Sequence, residues 1–131
     1  VQVVDGSIRI AQNGANIAVG LPYVSRLTTV PITSSEAQAG MQSFSKNPSE
    51  VYLRCRFDGD IWAEATGSNE MWQVQRDDLA FSGQLKDSQT LNVNLTSAWQ
   101  KNGQITIEHR DQLPLEINSI IGNYSYEGYK Q

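Results

Sequence analysis

Apolar residues recur at every second position along this chain, and that period restricts the possible folds more than any other feature. Val51, Leu53, Cys55 and Phe57 alternate with Tyr52, Arg54 and Arg56. A strand through them carries one apolar row on one face and a polar row on the other. Leu91, Val93 and Leu95 alternate with Asn92, Asn94 and Thr96, and Ile105 and Ile107 with Thr106 and Glu108, which predicts two more half-buried strands. Weaker strand signals lie at residues 7–10, 15–19, 27–32, 71–75 and 115–121.

Between these runs fall Asp5-Gly6, Asn13-Gly14, Asp58-Gly59, Gly67-Ser68-Asn69, Ser82-Gly83, Asn102-Gly103 and Gly122-Asn123. Such residues accept a positive φ or close a side-chain turn at little cost, so the spacing reads as a series of antiparallel hairpins. Asn102-Gly103, flanked by two strongly alternating runs, is the clearest two-residue hairpin signal. Residues 33–49 are small and polar; Ser34 or Ser35 can cap a short helix, but Gly40 and the lack of an apolar stripe favour an exposed loop. The expected fold is all-β: one domain, residues 1–131, forming an antiparallel sandwich or barrel with short hairpins and little helix.

Composition narrows the function. With 39% apolar and 18% charged residues over 131 positions, the chain has the make-up of a folded domain, large enough to need no metal or disulfide staple. Its net charge is −4 and its ten Lys and Arg are scattered singly, so there is no basic stripe to neutralise phosphates and no specific nucleic-acid binding is expected. Cys55 is the only cysteine, which excludes an internal disulfide and favours folding in a reducing compartment. No run of 18 apolar residues and no signal-peptide pattern is present, so neither membrane insertion nor secretion is expected. The start at Val1, running straight into apolar sequence, reads as a fragment or processed product of a longer polypeptide.

Chemistry-bearing constellations are sparse. His109 is the only histidine and has no evident nucleophile or second ligand in sequence, so it reads as a surface or rim residue. Cys55 falls on an apolar strand row, where a thiol packs as a small hydrophobe. Asp58, Asp60 and Glu64 invite a calcium reading, but Trp62 and Ala63 occupy positions where an EF-hand loop needs oxygen and glycine, so a solvated acidic hairpin is expected. No phosphate-binding glycine loop or dinucleotide fingerprint occurs, and two Asn-x-Ser/Thr matches carry no meaning without secretion. No catalytic, cofactor or metal residue is nominated. Trp62, Trp72 and Trp99 can serve a core, a subunit interface or a sugar-stacking platform. Trp72 is the candidate interface residue, because Met71 and Val74 fall on opposite faces of its strand.

Resemblance enters at Gly20, Leu21, Pro22 and Tyr23, a GLPY turn that continues through Val24-Ser25-Arg26-Leu27-Thr28-Thr29-Val30 to Pro31 and Ile32. A Val4-Asp5-Gly6-Ser7-Ile8-Arg9-Ile10 hairpin precedes it. Near the end stand Gly103-Gln104-Ile105-Thr106-Ile107 and Asp111-Gln112-Leu113-Pro114-Leu115-Glu116-Ile117. In this order the segments resemble the C-terminal part of the tail nozzle (tail tubular) proteins of short-tailed phages, and they span nearly the whole chain. Residues 51–57, with Gly83 in its turn, hold the usual middle position. Residues 33–49 depart from the basic stretch of that family. The family's long upstream body is also missing, so channel gating is not assigned to this chain.

The resemblance implies a virion structural protein, folded in the host cytoplasm and built into the viral tail. Identical subunits would form a ring, hexameric in that family, extending the DNA ejection channel and contacting tail adaptor and fibre proteins. No enzyme activity and no cofactor are expected. Read physically, GLPY is a rigid corner: Gly20 admits close approach, Pro22 fixes φ and extends Leu21, and Tyr23 can pack beside the bend. The alternative expectation is a module binding carbohydrate or a host receptor, which needs two or three of the tryptophans exposed and roughly coplanar. A hydrolase would instead need an acidic pair, or Cys55 with His109, converging in a cleft.

Overall fold

The computed structural model describes residues 2–11, 13, 17, 19–21, 23–32, 44–74, 87–110 and 113–126. Nine antiparallel strands form three sheets, and no helix occurs among the described residues. The strands are β1 (Val3–Val4), β2 (Ser7–Ile8), β3 (Ser25–Thr28), β4 (Lys46–Phe57), β5 (Trp62–Ala65), β6 (Trp72–Gln73), β7 (Gln89–Asn94), β8 (Ile105–His109) and β9 (Leu115–Tyr126). A four-stranded sheet runs β3-β8-β5-β6, a three-stranded sheet runs β7-β4-β9, and β1-β2 is a separate hairpin. The fold is all-β with open sheets, consistent with a sandwich; among the described strands no barrel closes.

Strand β4 folds as its alternation predicts. Val51, Leu53, Cys55 and Phe57 are buried, joined by Val93 and Leu95 from the same sheet. They meet Ile61, Ala63, Ala65, Val74, Ile105 and Ile107 from the other side, and each buried Leu or Ile contributes about 1.5–3 kcal/mol. The small Ala63 and Ala65 on β5 gave no strand signal, because alanine is a poor marker of a pleated surface. Two register shifts bend β4 against β9, between Pro48 and Glu50 and between Arg54 and Cys55. The first falls beside Pro48, which has no N–H for a regular ladder.

Several expectations need correction. The Asn102-Gly103 hairpin does not form: β7 pairs with β4, and β8 pairs with β3 and β5, so residues 95–104 cross from one sheet to the other. Gly103 does have a positive φ of 59°, but the reason is local: a Cβ there would come within 3.1 Å of the Lys46 side chain. Asp58-Gly59 likewise links strands of different sheets, and Gly122 lies inside β9 beneath the Tyr124 ring. True hairpins form at Asp5-Gly6, where both residues have positive φ, and at Gly67-Ser68-Asn69 between β5 and β6.

Strand β8 is buried on both faces, not one. It is the inner strand between β3 and β5, and Thr106 shares hydroxyl hydrogen bonds with Thr28 and Thr66. The polar loop expected at 33–49 is also not a loop throughout. Lys46, Asn47 and Pro48 are buried in β4; residues 33–43, with the proposed Ser34 or Ser35 cap, lie outside the described residues. So do Gly14, Ser82 and Gly83.

Candidate functional site

The N-terminal quarter of the chain carries the largest set of exposed apolar side chains. Val3, Val4, Ile10, Ile17, Val19, Leu21, Tyr23, Val24, Leu27 and Val30 are all exposed, Leu21 at 87% and Val30 at 80%. This segment, here called the arm, is joined to the sandwich at β3. Arg26 donates from Nε and Nη2 to Oε2 of Glu108 at 3.1 and 2.8 Å, and Thr29 is held on both sides of the ladder by Ile105 and Gln104. Gly20, Leu21 and Tyr23 of the GLPY corner are exposed; Pro22 lies outside the described residues.

Leu113, Pro114 and Leu115 have a bracing role. The Pro114 carbonyl accepts from the Asp58 amide at 2.9 Å, and Leu115 opens β9 opposite Phe57. The ring nitrogens of His109 face the carbonyls of Asp60 (2.7 Å) and Leu113 (2.5 Å). His109 is therefore buried and ties the β4–β5 turn to the β8–β9 connection, which corrects the surface reading. Asp58 is fully buried, so the solvated acidic hairpin is corrected as well. Because Ser25 pairs with His109 in an antiparallel register, the chain before Ser25 and the chain after His109 leave the sheet at the same end.

Trp72 is exposed at 55% on β6. Its Nε1 donates to Thr96 Oγ1 at 2.8 Å, and that hydroxyl donates to Glu70 Oε2 at 3.0 Å, so the indole is held by a polar relay. Beside it a cleft of about 290 Å³ is lined by Trp72, Gln73, Val74, Asn92, Val93 and Asn94. The cleft opens between β6 and β7, the edge strands of the two sheets. Trp99 is exposed at 50%, whereas Trp62 is half-buried with the Arg110 guanidinium 4.1 Å above its ring.

Polar groups sit mostly in structural pairings. Glu108 accepts from Arg110 Nε at 2.7 Å and from Arg26, and these hydrogen bonds, Arg110 first, hold its carboxyl below the ordinary range. Glu50 is lowered by hydrogen bonds from Asn123, Asn92 and Tyr52, which lace three strands on the outer face. Lys46, 1% exposed, donates from Nζ to the carbonyls of Phe44 and Lys101. Nothing in its polar sequence surroundings signalled that burial. Cys55 is buried as predicted, and burial pushes its thiol up to about 11. Cys55 and His109 lie on strands of different sheets. Among the described residues, no group of three or more His, Cys, Asp or Glu is placed to hold a metal.

No protein-family model matches the chain, and a search of curated proteins finds no match either.

Proposed function

We propose that this protein is a non-enzymatic structural module that works by subunit contact, as in the ring of a phage tail nozzle. The carrying observation is the arm: ten of its large apolar side chains are exposed, whereas the sandwich buries Val51, Leu53, Phe57, Ile105 and Ile107. Soluble chains seldom leave so many apolar groups together without a partner to cover them. The order of the GLPY, Gly-Gln-Ile-Thr-Ile and Leu-Pro-Leu segments supports the tail reading, with a virion location and a DNA ejection channel as its consequences. A hexameric ring of identical subunits, with adaptor and fibre proteins as neighbours, is what the resemblance adds.

The test is sedimentation velocity from micromolar to millimolar protein, followed by electron microscopy of the largest species. Concentration-dependent oligomers that close into rings are expected. A chain that stays monomeric throughout would overturn the assembly reading.

One observation favours a second reading. Trp72 and Trp99 both expose half or more of their surface, the first of the two conditions, exposure and coplanarity, that a carbohydrate or receptor platform sets. Quenching of tryptophan emission by soluble oligosaccharides, lost in a Trp72→Ala variant, would favour that reading over assembly.

A further inference from the structure

We infer that Asn102-Gly103 is a site of spontaneous modification, where loss of ammonia through a cyclic imide turns Asn102 into isoaspartate and aspartate and unfastens residues 29–32 from the run beside them. As a hairpin turn the pair is unused, because its flanking strands belong to different sheets. Its atoms are instead arranged for a reaction between neighbours. The nucleophile is the main-chain nitrogen of residue 103 and the electrophile is Cγ of Asn102. Glycine at 103 has no Cβ to obstruct their approach. The Gly103 amide has no hydrogen-bond acceptor among the described residues, so ring closure breaks no main-chain hydrogen bond. The Asn102 side chain is exposed and held only through Nδ2, which donates to Gln104 Oε1 at 3.5 Å, the outer limit of a hydrogen bond. The asparagines of β7 and β9 lack this combination. Asn92, Asn94, Asn118 and Asn123 precede the bulkier Val93, Leu95, Ser119 and Tyr124, and the amides of Asn92, Asn118 and Asn123 are held by Glu50 and Glu116.

The steps balance with water alone. Nitrogen 103 bonds to Cγ as its proton passes to solvent base, Cγ releases Nδ2 as ammonia, and a five-membered imide remains. Water then adds to one imide carbonyl and that C–N bond breaks. Opening at Cγ gives aspartate with the main chain unchanged, whereas opening at the main-chain carbonyl gives isoaspartate. One water is consumed and one ammonia leaves, with nothing oxidised or reduced.

Its effect follows from what grips the run on either side. Before the bond that changes, the Lys101 carbonyl accepts from the buried Lys46 Nζ at 2.6 Å and the Asn102 carbonyl from the Ile32 amide at 3.0 Å. After it, Gln104 accepts from the Thr66 amide at 3.0 Å, and Gln104 and Ile105 hold Thr29. The isoaspartyl main chain runs through Cβ and Cγ and is longer by one carbon, about 1.5 Å. A Cβ on Gly103 would already meet the Lys46 side chain at 3.1 Å, so the added length has no free space there. The Ile32 bond gives way first, because its acceptor leaves the main chain as a free carboxylate.

Ageing the protein at pH 6 and at pH 9 tests this, with peptide mapping to separate residue 102 from Asn13, which also precedes a glycine. A synthetic peptide of residues 99–106 is the unfolded reference. Asn102→Gln, which would have to close a six-membered ring, is the folded control. Wild-type Asn102 should be converted, faster at pH 9, to products about 1 Da heavier, and an isoaspartyl methyltransferase should methylate the isoaspartyl fraction. In the aged protein amide exchange should be faster at Thr29 and Ile32 with β4 unchanged, and aged Asn102→Gln should show neither conversion nor faster exchange. Asn102 left intact when the peptide is fully converted would overturn the site. Converted Asn102 with unchanged exchange at Ile32, or the same gain in exchange in aged Asn102→Gln, would overturn the unfastening.

Discussion

The sandwich and the arm use the same kinds of residue with opposite outcomes. In β4, Val51, Leu53, Cys55 and Phe57 are at most 3% exposed, while Ile17, Val19, Leu21 and Tyr23 in the arm are all more than half exposed. Both sets repeat at period two. An alternating pattern states which face of a strand wants cover; it does not state whether the same chain supplies the cover. In the sandwich, β8 and β5 supply it, whereas among the described residues nothing covers the arm's row.

The largest expected effect separates these two regions directly. Leu53→Ala removes a fully buried side chain and should destabilise the isolated chain by about 2–5 kcal/mol in urea unfolding. Leu21→Ala, at a position 87% exposed, should change stability by no more than about 0.5 kcal/mol. If Leu21→Ala cost as much as Leu53→Ala, the arm would be packed in solution and the contrast would collapse.

A second, smaller effect sharpens the comparison through two glycines in the left-handed region. Gly6 in the arm hairpin has φ of 73° with open space around its missing Cβ, whereas Gly103 in the sandwich has φ of 59° and the Lys46 side chain 3.1 Å away. Each Gly→Ala change should cost about 1–2 kcal/mol of backbone strain. At Gly103 the crowding against a fully buried Lys46 adds to it, so Gly103→Ala should lower the melting temperature of the sandwich. Gly6→Ala should loosen only the β1–β2 hairpin, read as faster amide exchange there with the melting temperature unchanged. Equal drops in melting temperature would mean that the hairpin and the sandwich unfold as one unit.

These cases also show what was legible beforehand. The all-β class, the strand at residues 51–57, the buried Cys55 and the Asp5-Gly6 hairpin follow from local patterns: period two, and residues that tolerate positive φ. What failed required knowledge of distant partners. Asn102-Gly103 correctly signalled a positive φ, but its flanking strands belong to different sheets, and a dipeptide cannot report that. Thr106 and Glu108 looked solvent-facing until β3 and β5 enclosed β8. Lys46 looked like a loop residue because its partners, the carbonyls of Phe44 and Lys101, are main-chain atoms that sequence does not advertise. For the candidate site, the exposure of Trp72 was expected, while its cleft, formed where two sheet edges meet, was not.

The smallest expected effect concerns the seam between arm and sandwich, where Glu108 bridges Arg110 and Arg26. Its carboxyl is held below the ordinary 4.5, chiefly by Arg110 and then by Arg26. A carboxyl whose folded pKa is depressed stabilises the native state above its unfolded pKa, and that contribution fades as pH falls through the folded value. Acid should therefore weaken the seam from about pH 4.5 downward. Because Arg26 belongs to β3, the loss should appear first as faster amide exchange at Leu27 and Thr28, before β4 and β9 respond. In Glu108→Gln the carboxyl is gone, so stability at neutral pH should fall slightly and its acid dependence should flatten. The measurement is melting temperature from pH 6 to 3 for both proteins, with residue-resolved exchange at the low end. Parallel pH curves would show that Glu108 does not set the acid response, and simultaneous exchange of β3 and β4 would show that the seam is no weaker than the sandwich it borders.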